Sequence, residues 1–184
     1  MSLFSARNSF LAVGLVSTMV LASCATAPET EVGKSDLERD AAAALAKAEG
    51  TDATLDLFLR NAAGYAVFPK IGKGAVGIGG AYGKGVLYER GMVTGFCDLS
   101  QASIGLALGG QGYSEIITFQ NQEAINSFKS GKLAFDAQAT AVAVKSGAGA
   151  NAKFHNGVYV FTFDESGLMG EASLGGQRFS YLPK

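Results

Sequence analysis

Gly72, Gly74 and Gly77 satisfy the spacing G-x-G-x-x-G. That spacing serves dinucleotide binding when a tight turn leads into a helix whose first amides hold a pyrophosphate. The surrounding stretch, AAGYAVFPKIGKGAVGIGGAYGKG at residues 62–85, is too rich in glycine and too regularly alternating to begin a helix there. A phosphate loop of the G-x-x-x-x-G-K-[ST] kind fails more directly. Neither Gly72-Lys73 nor Gly83-Lys84 has a glycine five positions earlier, and Gly74 and Gly85 stand where Ser or Thr is needed. The alternation instead describes a strand. Val76, Ile78 and Tyr82 fall on one face with Gly80, and Ala75, Gly77, Gly79 and Ala81 on the other. A face that bare admits another packed layer, the taper of a small barrel, or a ligand, and close packing is its ordinary use.

Groups able to act as nucleophiles or metal ligands are few. His155 is the only histidine, so neither a histidine-rich metal site nor a Cys–His pair can be assembled. Cys97 falls in a strand-like segment, where a buried, inert thiol is expected. Ser103 and Ser114 have no base placed by spacing, and the acids are spread too evenly to nominate a carboxylate pair. We expect no catalytic residue, no metal and no cofactor. Charge offers more. Residues 29–56 hold Glu29, Glu31, Asp36, Glu38, Asp40, Glu49, Asp52 and Asp56 against Lys34, Arg39 and Lys47. Residues 60–90 reverse the balance, with Arg60, Lys70, Lys73, Lys84 and Arg90 against Glu89. These five basic residues are the candidates for binding anionic lipid head groups, provided they converge on one face.

Caps, alternation and glycines place the helices and strands that carry these residues. Ser35, three residues before Glu38, is placed to cap an alanine-rich helix that runs to Ala48 and closes at Gly50. Thr51 is placed to cap a second helix with Leu55, Phe58 and Leu59 on one face, ending near Gly64. Strands are expected near 65–68, 74–82, 84–88, 91–98, 102–109 and 112–119, with Gly109-Gly110 as a turn. Asn121 starts a helix that buries Ala124, Ile125 and Phe128 and stops at Gly131. Further strands are expected at about 135–145, 150–154, 157–163 and 167–174. The class is therefore α+β: a mostly antiparallel, β-rich body, barrel-like or a curved sheet, with N-terminal helices and one inserted helix.

The N-terminus reads as a leader. Arg7 precedes SFLAVGLVSTMVLA, an apolar run of signal-peptide length and short for a spanning helix. It ends in Leu21-Ala22-Ser23-Cys24, the lipobox pattern in which the cysteine becomes an acylated N-terminus. The division is a signal peptide at 1–23, a lipidated tether at 24–34 and a domain at 35–184. With Cys24 acylated, Cys97 has no partner and no disulfide is expected. Ala25 rather than Asp after Cys24 favours the outer membrane, on its periplasmic face. Removing the leader takes away one basic residue, so 14 basic and 16 acidic residues remain, a net charge of −2. Such a balance excludes a nucleic-acid binder on charge.

The runs NAAGYAVFPKIGKGAVGIGGAYGKGVLY and FCDLSQASIGLALGGQGYSEIITFQNQEAINSF, the strand around AVAV, and GLMGEASLGGQRF together resemble the SYLF domain family over roughly residues 38–182. The resemblance implies a β-rich domain with helices and without catalytic residues that binds membrane lipids, phosphoinositides in eukaryotic members. Some of those members bind actin through adjoining elements. Here a signal peptide and an acidic tether replace the lipid-inserting amphipathic helix and no partner-binding module is expected beside the domain, so actin binding is not expected. The function expected is a non-enzymatic, membrane-anchored lipoprotein that binds anionic phospholipid head groups. The alternative is a structural lipoprotein of the cell envelope that docks a protein partner through its glycine-rich sheet surface.

Overall fold

The computed structural model describes residues 30–76, 78–103, 111–135, 140–143, 147–151, 153–163 and 172–184. The expected leader, Cys24, the Gly109-Gly110 pair and most of the strand expected at 167–174 lie outside the described residues. Two helices come first, α1 (Glu31–Thr51) and α2 (Ala53–Asn61). A run of strands follows: β1 (Gly64–Val76), β2 (Ile78–Glu89), β3 (Met92–Ser103) and β4 (Gln111–Phe119). After α3 (Gln122–Lys129) come β5 (Thr140–Ala143), α4 (Ala148–Asn151), β6 (Val158–Phe163), β7 (Ala172–Ser173) and β8 (Gln177–Pro183). The strands form one sheet in the order β7-β5-β6-β4-β1-β2-β3-β8, antiparallel except for β5 beside β6. The expected α+β, mostly antiparallel class holds.

This sheet is curved. β7 and β8 sit at opposite edges of the order, yet Ser173 and Gln177 are joined by a turn closed by the Gln177 N–H on the Leu174 carbonyl. Seven strand spacings laid flat would separate the edges by about 34 Å. Four residues of chain reach at most about 14 Å, so the sheet must curl until its edges approach.

The curl creates two cores. Inside it lie Ala66, Phe68, Ile71, Leu87, Cys97, Leu99, Ile117, Phe119 and Phe179, closed at one end by Ala124, Ile125 and Phe128 of α3. Asn121 caps α3 by accepting from the Ala124 N–H at 2.9 Å, and Gly131 ends it at φ +68, as the sequence led us to expect. On the outer face α1 and α2 cover Val67, Val86, Phe96 and Ile116 with Ala41, Ala44, Ala48, Leu55 and Leu59. Alanine at that spacing lets α1 approach the sheet closely.

The AVFPKIG motif owes its form to a β-bulge. Val67 faces Val86 and Lys70 faces Lys84, so β1 spends one residue more than β2 across Phe68-Pro69. Proline, lacking an N–H, is tolerated at such a site, and its carbonyl accepts from Ser114 Oγ at 2.6 Å. The bulge resets the alternation so that Phe68 and Ile71 both enter the inner core. Glycine makes room for them. A Cβ on Gly85 would lie 2.7 Å from the Phe68 ring and 2.8 Å from the Val67 carbonyl oxygen, and one on Gly83 2.7 Å from Ile71. Of the bare face read from the sequence, Ala81 is buried in this inner core, and the side-chain positions of Ala75, Gly77 and Gly79 lie outside the described residues. Gly85→Ala is expected to cost about 2 kcal/mol by overpacking. Gly72→Ala, where nothing lies within 4 Å, should stay within about 0.5 kcal/mol. Urea unfolding of the two variants checks this.

Several boundaries differ from expectation. The strand expected at 74–82 is two strands, with Val76 paired to Ile78 across Gly77, and no Asn-Gly or Asp-Gly announces the reversal. The strands expected at 84–88, 91–98 and 102–109 fall within β2 and β3 as far as Ser103. Residues 148–151 are the short helix α4 rather than the start of a strand, and β8 was not expected at all. α1 starts at Glu31, inside the expected tether, because Thr30 rather than Ser35 caps it, accepting from the Gly33 N–H at 3.1 Å. Gly50 lies within α1, and Asp52 rather than Thr51 caps α2, accepting from the Thr54 N–H at 3.0 Å.

Candidate functional site

The end of the curl closed by α3 carries a pocket of about 660 Å³. Its wall is built from five places in the chain. α1 contributes Glu49 near its C-terminus, and α2 contributes Asp56, Leu59 and Arg60. The α2–β1 junction adds Ala62 to Tyr65, the β2–β3 turn adds Arg90 and Gly91, and α3 adds Gln122. The Ala63 N–H donates to the Phe119 carbonyl at 2.8 Å and fixes that junction against the sheet.

Each charged group has a definite local cause. Asp56 and Arg60 are one helical turn apart, and Arg60 Nε donates to Asp56 Oδ1 at 2.7 Å. Arg90 stands in the turn at φ 52, followed by Gly91 at φ 75, the left-handed pair of a two-residue hairpin. Arg90 is exposed and makes no ion pair among the described residues. Glu49 is half-buried, and burial pushes its carboxyl up from the ordinary value, with Asp56 adding to the rise and Arg60 opposing it. Tyr65 stacks on Tyr88 with ring centroids 5.0 Å apart. Burial, then Glu49 and Asp56, push the Tyr65 hydroxyl up, and burial pushes that of Tyr88 up to about 12.

Beside the pocket Glu89 is fully engaged. It receives Lys129 Nζ, Thr94 Oγ1 at 2.7 Å and Gln122 Nε2 at 3.4 Å. Burial works to raise its carboxyl, but these hydrogen bonds outweigh it and hold the group below the ordinary value.

The five basic residues expected to converge do not all do so. Arg60 and Arg90 meet on the pocket. Lys70 and Lys84 face each other across β1 and β2, with Asp98 opposite Lys84 on β3. They lie six residues along their strands from the pocket end, roughly 20 Å away. Lys73 is farther along β1, opposite Ala81, and its side chain is outside the description. Glu49, Asp56, Tyr65 and Gln122 were not foreseen as site residues. The excess of acids in 29–56 was the only sequence signal pointing toward them.

Other groups considered for chemistry are occupied structurally. Cys97 is a free thiol, 1% exposed, and burial, reinforced by Asp98, pushes it well above its ordinary value. The Ser114 hydroxyl is bound to Pro69, and His155 is exposed in a bridge to Val158. Among the described residues no helix is long and apolar enough to cross a membrane.

A family model described as Ysc84, Las17-binding protein actin regulator, matches residues 100–181. This is the SYLF family that the sequence resembles, and the chain carries a SYLF domain. Comparison with curated proteins gives no match. The matched segment runs from the C-terminal part of β3 into β8. Of the pocket residues only Gln122 lies within it, so the reading of the pocket rests on its own geometry.

Proposed function

We propose that this protein is a non-enzymatic lipoprotein, anchored through acylated Cys24 to the periplasmic face of the outer membrane, whose SYLF domain binds phospholipid head groups. The observation that carries the reading is the meeting of Arg60 and Arg90 on one pocket. A guanidinium presents a planar fork of donors suited to phosphate oxygens. Arg60 keeps its terminal nitrogens beyond the Nε bond to Asp56, and Arg90 is uncommitted among the described residues. Each basic side chain at an anionic surface contributes about 1 kcal/mol. An acyl anchor makes that sufficient, because tethering supplies a high effective concentration of head groups. The actin regulation in the family's description is not part of this reading.

Vesicle flotation tests it, using residues 24–184 with Cys24→Ser. This chain keeps every described element, since the described fold begins at Thr30. At low salt it should float with anionic vesicles, and Arg90→Glu should reduce partitioning about tenfold or more. Lys70→Glu should change it less than twofold. Equal losses for the two variants would show that the contact spreads over the strand face and would overturn the assignment to the pocket.

A second reading, docking of an envelope protein on the glycine-rich strands, draws on Tyr82. That ring is 47% exposed on the outer face, opposite Gly72 on β1. Crosslinking in cells from position 82 that returned only lipid adducts would remove it.

A further inference from the structure

We propose that the pocket takes a zwitterionic head group, a phosphate joined to a primary amine as in phosphoethanolamine, in preference to a purely anionic one. The inference rests on the reading of the pocket as a phospholipid site and names which phospholipid fits. The charge inventory is its basis. The pocket wall carries two carboxylates, Glu49 and Asp56, and two guanidinium groups, Arg60 and Arg90. Asp56 and Arg60 neutralise each other at 2.7 Å. The remaining two, Glu49 and Arg90, come from α1 and from the β2–β3 turn, and neither makes an ion pair within 4 Å among the described residues. The pocket therefore offers one carboxylate and one guanidinium outside any ion pair, supplied by separate elements, with Arg60 acting on Glu49 only at longer range.

A phosphate with no cation beside it would satisfy Arg90 and leave a half-buried carboxylate facing an anion, a like-charge contact that disfavours binding. A ligand carrying both signs satisfies both ends. The phosphate goes to Arg90 and the outer donors of Arg60, and the ammonium to Glu49, with Asp56 next to it. A primary amine suits this end better than a quaternary one. It donates hydrogen bonds to carboxylates, whereas a quaternary ammonium is held by open aromatic faces. The pocket's Tyr65 has one face already covered by Tyr88. Leu59, Ala62 and Ala63 supply the apolar part of the wall, and a volume of about 660 Å³ accommodates a head group with room for its glycerol.

The test uses the same Cys24→Ser chain, titrated calorimetrically with glycerophosphoethanolamine, glycerophosphoglycerol and inorganic phosphate, and floated with phosphatidylcholine vesicles containing either phosphatidylethanolamine or phosphatidylglycerol. We expect glycerophosphoethanolamine to bind about tenfold more tightly than glycerophosphoglycerol or phosphate, one charged hydrogen bond's worth. Glu49→Gln, which keeps the shape and removes the charge, should reduce that preference to less than twofold. Equal affinity, a preference for the glycerol compound, or a preference untouched by Glu49→Gln would overturn the inference. Flotation distinguishes the two proposals. Arg90-dependent flotation with phosphatidylglycerol alone would leave the lipid reading standing and sink this one, whereas no flotation with any vesicle would sink the lipid reading. Binding of the soluble compound without flotation on phosphatidylethanolamine would support the zwitterion chemistry and assign it to a free phosphoamine rather than a membrane.

Discussion

Asp52→Ala is expected to destabilise the protein by about 3 kcal/mol, because it breaks a buried carboxylate network that joins the N-terminal helices to a loop from the far end of the chain. Asp52 is 2% exposed. Its Oδ2 accepts from the Gly149 N–H at 2.6 Å and its Oδ1 from the Gly147 N–H at 3.1 Å, besides capping α2 through the Thr54 N–H at 3.0 Å. Thr54 joins in, donating its hydroxyl to Asp52 at 2.7 Å and accepting from the Ala150 N–H at 2.8 Å. Burial alone would raise the carboxyl. The hydrogen bonds from Gly149, Thr54 and Gly147 outweigh it, and the group is held below its ordinary value.

A depressed folded pKa fixes the pH dependence. The network's charge-assisted stabilisation is complete above the unfolded aspartate value of about 3.9 and is lost as pH falls through the lower folded value. Thermal melts at neutral pH should show Asp52→Ala lower by about 6–12 °C. The gap from wild type should narrow on acidification below about pH 4, and a gap constant across that range would refute the network as its source.

Phe128→Ala should cost about 4 kcal/mol. Phe128 is fully buried and meets Phe119 and Phe179 with ring centroids 5.1 and 5.0 Å away. These contacts hold α3 against the end of the curl, and the helix is too short to persist without them. Denaturant unfolding gives the magnitude. Amide exchange gives the mechanism: protection should fall first in Gln122–Lys129, and uniform loss across the sheet would show that α3 does not move as a unit.

What the sequence revealed depended on how local the cause was. α3 was legible because its cap, buried stripe and terminator sit within about a dozen residues. The class was legible from the alternation and the glycines. The Pro69 bulge, the reversal between Val76 and Ile78 and the helical turn at Ala148–Asn151 were not, since each is imposed by partners distant in sequence. Asp52 shows the same limit. Thr51 and Asp52 are both capping types, and the choice is made by backbone amides of Gly147 and Gly149. β8 escaped because its inward residues are not all apolar: Gln177 is 3% exposed and donates to the fully buried Glu115 at 3.1 Å, so part of the interior is polar where the pattern rule expects hydrocarbon. The pocket was half legible. Its arginines stood out in a basic stretch, but nothing in their spacing separates them from Lys70 and Lys84, and only the folded sheet places those elsewhere.

The placement of β8 also determines when this domain can fold. Its seven residues form the last of the described strands, and they pair with β3, roughly eighty positions earlier. Until Gln177–Pro183 arrive, β3 has an open edge and Phe179 is missing from the inner core. Such long-range pairing is slow, and it cannot begin before those residues have been made. The strand that closes the β3 edge is thus a late event: completing the inner core is coupled to a pairing that spans roughly eighty positions.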